Sequence, residues 1–127
     1  MDDIPENVKR FIATNIESIY QLRILLLLQG SPDQDWTSDV VGAKLYLDRA
    51  LAGTQLAILA SRGFFSTQPG SNPTYRYEPA TPALREMAAC LAQLDRERPV
   101  TLINLVYSGQ KNAAQSFANA FRFKQDQ

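Results

Sequence analysis

Between Val40 and Tyr77 the spacing of apolar residues changes twice, which leaves few arrangements open to this stretch. An apolar run, Val40, Val41 and Leu45 to Leu47, stops at Asp48, whose side chain can accept a bond from the free N–H groups of a helix start. A second helix is predicted there. Its apolar positions Ala52, Leu56 and Leu59 fall at i, i+4 and i+7, one face of a 3.6-residue period, and Gly63 can end it in a left-handed conformation. Phe64 to Thr67 and Thr74 to Tyr77 are short β-prone runs. The segment between them, Gln68 to Pro73, has the Pro and Gly of a turn, so the pair reads as a hairpin with a long tip.

The pattern Val41-Gly42-x-x-Leu45-x-Leu47-Asp48, then Ala52-x3-Leu56-x2-Leu59-x3-Gly63-Phe64, then Tyr75-Arg76-Tyr77 before Thr81-Pro82, resembles the winged helix-turn-helix of small bacterial transcription regulators of the MarR and PadR kind. The resemblance covers about residues 16 to 85. It departs from such domains at Tyr46, where the turn commonly carries Gly, and at Ala50, Ala52 and Gly53, where many of them carry polar side chains. It implies a mainly α fold with a small β-hairpin (α+β): a winged helix-turn-helix core over 15–80 with added flanking helices over 5–13 and 82–123, in one domain of 127 residues.

A chain of this length can bury a core without staples, and 45% hydrophobic residues is a globular composition. The single cysteine, Cys90, excludes an internal disulfide framework, fits a reducing compartment and reads as a small buried or half-buried hydrophobe. The longest apolar run, Ile24 to Leu28, is too short to span a bilayer, and Asp2, Asp3 and Glu6 stand where a signal peptide would be basic. A soluble cytoplasmic protein with no membrane partner is expected.

Along the chain, Pro5 with Val8, Phe11 and Ile12 predicts a short helix over 5–13. Thr14-Asn15-Ile16-Glu17 has the form of a capping box and predicts a new helix, or a bend, from about 15 to 29 whose C-terminal half is core. Trp36 is expected to anchor the following loop or add a third short strand to the hairpin, and Thr37 or Ser38 to cap the next helix. Gly42, unfavourable by about 1 kcal/mol inside a helix relative to Ala, predicts a close backbone approach. Thr81-Pro82 opens an amphipathic helix over about 82–97, and Val100, Ile103, Val106, Tyr107, Phe117 and Phe121 mark a last helix, bent near Ser108-Gly109.

The flanking helices carry more apolar surface than a winged domain of this size can hide. A two-fold homodimer disposes of it, with Phe11, Leu91, Leu94, Ile103, Val106, Phe117 and Phe121 as the expected pairing residues; the alternative is a monomer whose long helices wrap its own domain. The resembled family usually pairs in this way.

The chain has no histidine, and therefore no Ser-His or Cys-His nucleophile pair; one Cys and scattered carboxylates make no credible metal site, and no Gly-rich phosphate fingerprint is present. Neither catalysis nor a cofactor is expected. Thirteen basic and thirteen acidic residues sum to zero charge, which alone argues against a nucleic-acid partner. From Arg49 through Tyr77, however, Arg49, Arg62 and Arg76 are the only charged residues, a local +3. The resemblance implies a second helix in the major groove of double-stranded DNA with Arg49, Gly53 and Thr54 at its start, Lys44 on a phosphate, and a wing contributing Gln68, Ser71, Asn72 and Arg76 to the minor groove or backbone. Arg76 is the strongest candidate, because its own ribbon offers it no acidic partner. The alternative is a winged scaffold whose small-residue helix, with Ala50, Ala52, Gly53 and Ala57, docks a protein. The sequence identifies no small-molecule effector.

Overall fold

The structure is a computed structural model and describes residues 4–108. Helix α1 spans Glu6–Asn15, α2 Ile19–Gln29, α3 Ser38–Leu45 and α4 Arg49–Ser61; strands β1 (Phe65–Gln68) and β2 (Thr74–Tyr77) follow, then α5 Pro82–Glu97 and α6 Pro99–Ser108. The architecture is mainly α with one small antiparallel sheet, as predicted. Among the described residues no single helix is long and apolar enough to cross a membrane.

Helix α2 is the axis of the core. Leu22, Ile24, Leu25 and Leu28 are all fully buried, because α3, α4, α5 and β2 each pack against it. Helix α1 meets α2 at 107°, and the break between them corrects the predicted capping box. Thr14 lies inside α1, and the cap of α2 is Ser18, whose Oγ accepts from the Gln21 backbone N–H. Gln21 Oε1 in turn accepts from the Glu17 N–H at 2.8 Å, one residue before the cap, so Ser18-x-x-Gln21, four residues on, takes the form of a capping box with its return bond shifted by one residue.

The helix-turn-helix is built by two helix ends and one cap. Tyr46 ends α3 in the left-handed region (φ 57), and its N–H and that of Leu47 both bond the Gly42 carbonyl. This turn folds back on α3 so tightly that a Cβ on Gly42 would lie 2.8 Å from the Leu47 carbonyl oxygen, which is the close approach the glycine predicts. Asp48 then caps α4, its Oδ2 accepting from the N–H groups of Ala50 and Leu51. Gly63 (φ 93) closes α4: its N–H bonds the Ala60 carbonyl and that of Phe64 the Leu59 carbonyl. Phe64 is thereby turned into the core, where Phe11 meets it edge-on at 5.9 Å between ring centroids.

In the ribbon, Phe65 pairs with Tyr77 and Gln68 with Thr74. Trp36 adds the expected third strand as a single bridge, exchanging two 2.8 Å backbone bonds with Tyr75, and its ring is buried in the core. Thr81 caps α5 with Pro82 in its first turn. The predicted bend at Ser108-Gly109 and the residues beyond it lie outside the described residues.

Candidate nucleic-acid interface

Helix α4 divides its faces by periodicity. Ala52, Leu56 and Leu59 turn into the core, which leaves Arg49, Ala50, Thr54, Ala57 and Ser61 exposed. That face is narrow, smooth and nearly uncharged. Gly53 does not belong to it: a Cβ there would meet Ser38 Oγ at 3.0 Å, so Gly53 serves the crossing of α4 over the start of α3. The Thr54 hydroxyl donates to the Ala50 carbonyl of its own helix at 3.0 Å, and a phosphate would have to displace that bond. The amides at the start of α4, an anion-binding position in an uncapped helix, are already taken by the Asp48 carboxylate.

Strand alternation sets the wing in the same way. Tyr75 and Tyr77 point inward, while Thr74, Arg76 and Glu78 share the outer face with Ser66, Gln68 and Asp35, lining a shallow polar hollow. Gln68, Ser71 and Asn72 are exposed at the tip, and Lys44 is exposed in the last turn of α3 without an ion pair among the described residues. Burial raises the Tyr77 hydroxyl above its ordinary pKa, with the Arg85 charge acting weakly in the opposite direction.

The arginines require a correction to the charge reading. Arg76 is not unpartnered: its Nε bonds Asp35 Oδ1 at 2.9 Å. The Trp36–Tyr75 bridge brings this about, because in antiparallel pairing the residue before Trp36 lies across from the one after Tyr75. Arg49 Nε reaches Asp39 Oδ1 at 3.0 Å across the helix turn. Arg62 points into the elbow between α1 and α2, where it bonds the Asn15 carbonyl, Gln21 Oε1 and the Glu17 carboxylate. Every arginine of the locally positive stretch is thus matched by a carboxylate from outside it, and its excess charge disappears in three dimensions. The Asp35 contact was implicit in reading Trp36 as a third strand; those of Asp39 and Glu17 depend on helix crossings that local spacing does not reveal.

Of the expected pairing residues, Leu91 and Val106 are fully buried in the protomer's own core, which leaves them no surface for a second copy. Phe11, Leu94 and Ile103 are half-buried, and Phe117 and Phe121 lie outside the described residues. Val100 and Tyr107, 69% and 57% exposed, are the large apolar side chains that α6 leaves bare.

No protein-family model matches the chain, and no curated protein sequence is similar to it. Solved structures do match. The homodimeric winged helix-turn-helix DNA-binding domain of Mb0332 from Mycobacterium bovis, described as a possible ArsR-family transcriptional regulator, is 16% identical, with a TM-score of 0.52 over 77% of this chain and 93% of that one. MepR, a transcription regulator of the Staphylococcus aureus multidrug efflux pump MepA, is 13% identical, with a TM-score of 0.53 over 94% and 90%. HlyU from Vibrio cholerae is 19% identical, with a TM-score of 0.52 over 72% and 90%. At such identities the likeness is one of fold, shared with winged-helix proteins at large rather than with the MarR and PadR kind in particular, and the fold of this chain is the winged helix.

Proposed function

We propose that the chain is a DNA-binding transcription regulator that acts as a homodimer, with α4 entering the major groove and the wing lying on the minor groove or backbone. The observation that carries this reading is the bare face of α4, Arg49, Ala50, Thr54 and Ala57, which no other part of the described protomer covers. A helix is about as wide as the major groove admits, and small side chains let its backbone approach closely. Similar winged folds in proteins described as a DNA-binding domain and a transcription regulator support it. Lys44, Arg49 and Arg76 would meet phosphates or base edges, Thr54 a thymine methyl, and Gln68, Ser71 and Asn72 the backbone beside the wing. Gly53 would contribute only by letting α3 and α4 close on each other.

Fluorescence anisotropy on duplex DNA at low and moderate salt tests this. With three or four phosphate contacts per subunit, affinity is expected to fall with a log–log salt slope of roughly −3 per half-site. Arg49→Ala with Arg76→Ala should weaken binding and flatten that slope. Equal, weak binding by wild type and the double variant would remove α4 and the wing from the interface.

A further inference from the structure

We infer that Asp35 and Asp39 hold DNA affinity down by occupying the guanidinium groups that a phosphate would otherwise take; this inference rests on the DNA reading above. Three observations carry it. First, the two arginines best placed for DNA, one at the start of α4 and one on the outer face of the wing, each have a carboxylate oxygen within 3.0 Å, Arg49 with Asp39 and Arg76 with Asp35. Second, neither pair is locked into the core: the side chains are 67% and 56% exposed in one and 45% and 53% in the other. Such pairs are screened by water and salt and open readily. Third, each carboxylate is delivered by structure that has another task. Asp35 is placed by the Trp36 bridge and Asp39 by the first turn of α3, so both stay beside their arginine whether or not DNA is present.

A carboxylate and a phosphate offer a guanidinium the same planar pair of oxygens. Binding is therefore an exchange of one anion for another rather than the filling of a free cation. Each arginine gives up its internal partner, and that partner is left facing the phosphates as a like charge. Because a phosphate is the same on every sequence, the subtraction applies to every duplex, and the domain stays off DNA unless contacts from α4 add to the exchange.

The test uses the full chain and a fluorescein-labelled duplex of mixed sequence. Asp35→Asn with Asp39→Asn should bind roughly tenfold tighter than wild type near 0.1 M salt, with a similar salt slope, because the same two arginines reach phosphates in both proteins. Asp33→Asn, an exposed residue of the same loop with no ion pair among the described residues, changes the net charge by one unit without releasing an arginine and should gain far less. Asp39→Asn should gain no more than Asp33→Asn does when Arg49 is already Ala. Urea melts of each variant establish that the proteins compared are folded. If the Asn variants bind no tighter than Asp33→Asn, or Asp39→Asn gains equally without Arg49, the inference fails while the DNA reading stands. If no variant binds any duplex, both fail.

Discussion

Tyr46 holds a left-handed backbone, φ 57 and ψ 44, with a side chain that is 96% exposed. An L-residue in that region is strained by roughly 1–2 kcal/mol relative to a right-handed one, and the bare ring gains almost nothing from packing to offset this. The sequence already marks the position, since the resembled domains commonly carry Gly there, and the structure supplies the reason: the turn has to bring two N–H groups onto the Gly42 carbonyl. Tyr46→Gly should therefore stabilise the fold. Glycine's greater freedom in the unfolded chain takes back about 0.5–1 kcal/mol, so the net gain should be up to about 1 kcal/mol, read as a higher urea midpoint at unchanged slope. A lower midpoint would mean that the ring makes a contact its exposure conceals.

Helix boundaries were legible in the sequence wherever a cap and an apolar period agreed: Thr37, Asp48 and Thr81 all cap as their spacing predicts. The elbow after α1 was not, because Thr14-x-x-Glu17 and Ser18-x-x-Gln21 both have the form of a capping box. Tertiary partners chose between them. Gln21 is 3% exposed and also bonds Gln55 and Arg62, so the second frame satisfies a buried polar side chain that the first would strand. In the wing, the alternation of Tyr75, Arg76 and Tyr77 was legible, and it leads to a prediction in pH. The Tyr77 hydroxyl is buried without a hydrogen-bond partner among the described residues, and its pKa is raised above the ordinary value of 10 by desolvation. The folded state thus holds this proton more tightly than the unfolded state. Stability from the group is complete below pH 10 and declines as pH rises from there toward the folded pKa. Tyr77→Phe should remove that decline: the variant's melting temperature should match or exceed wild type at neutral pH and gain on it steadily above pH 10. Parallel curves across the alkaline range would show the hydroxyl to be solvated.

For the molecule as a whole, the division of α6 decides what a pairing surface could be. Leu102 and Val106 are fully buried, while Val100, Ile103 and Tyr107 recur at i, i+3 and i+7 along the other side, with Val100 and Tyr107 mostly bare. The apolar character of α6 is legible in the sequence, but periodicity alone does not tell the face spent on the protomer from the face left over, and Val106 lies on the buried one. In the proposed dimer the leftover stripe belongs to the interface. Val100→Asp with Tyr107→Asp introduces charge only where side chains already face solvent, so the folded protomer should survive, as judged by an unchanged circular dichroism spectrum. Sedimentation equilibrium should then show the variant as a monomer at concentrations where wild type is a dimer. On a duplex with two half-sites about 34 Å apart, its salt slope should fall to roughly half that of wild type, because one subunit's phosphate contacts remain. A wild type that sediments as a monomer at every concentration would take the second copy out of the proposal and leave α4 and its wing to bind a single groove alone.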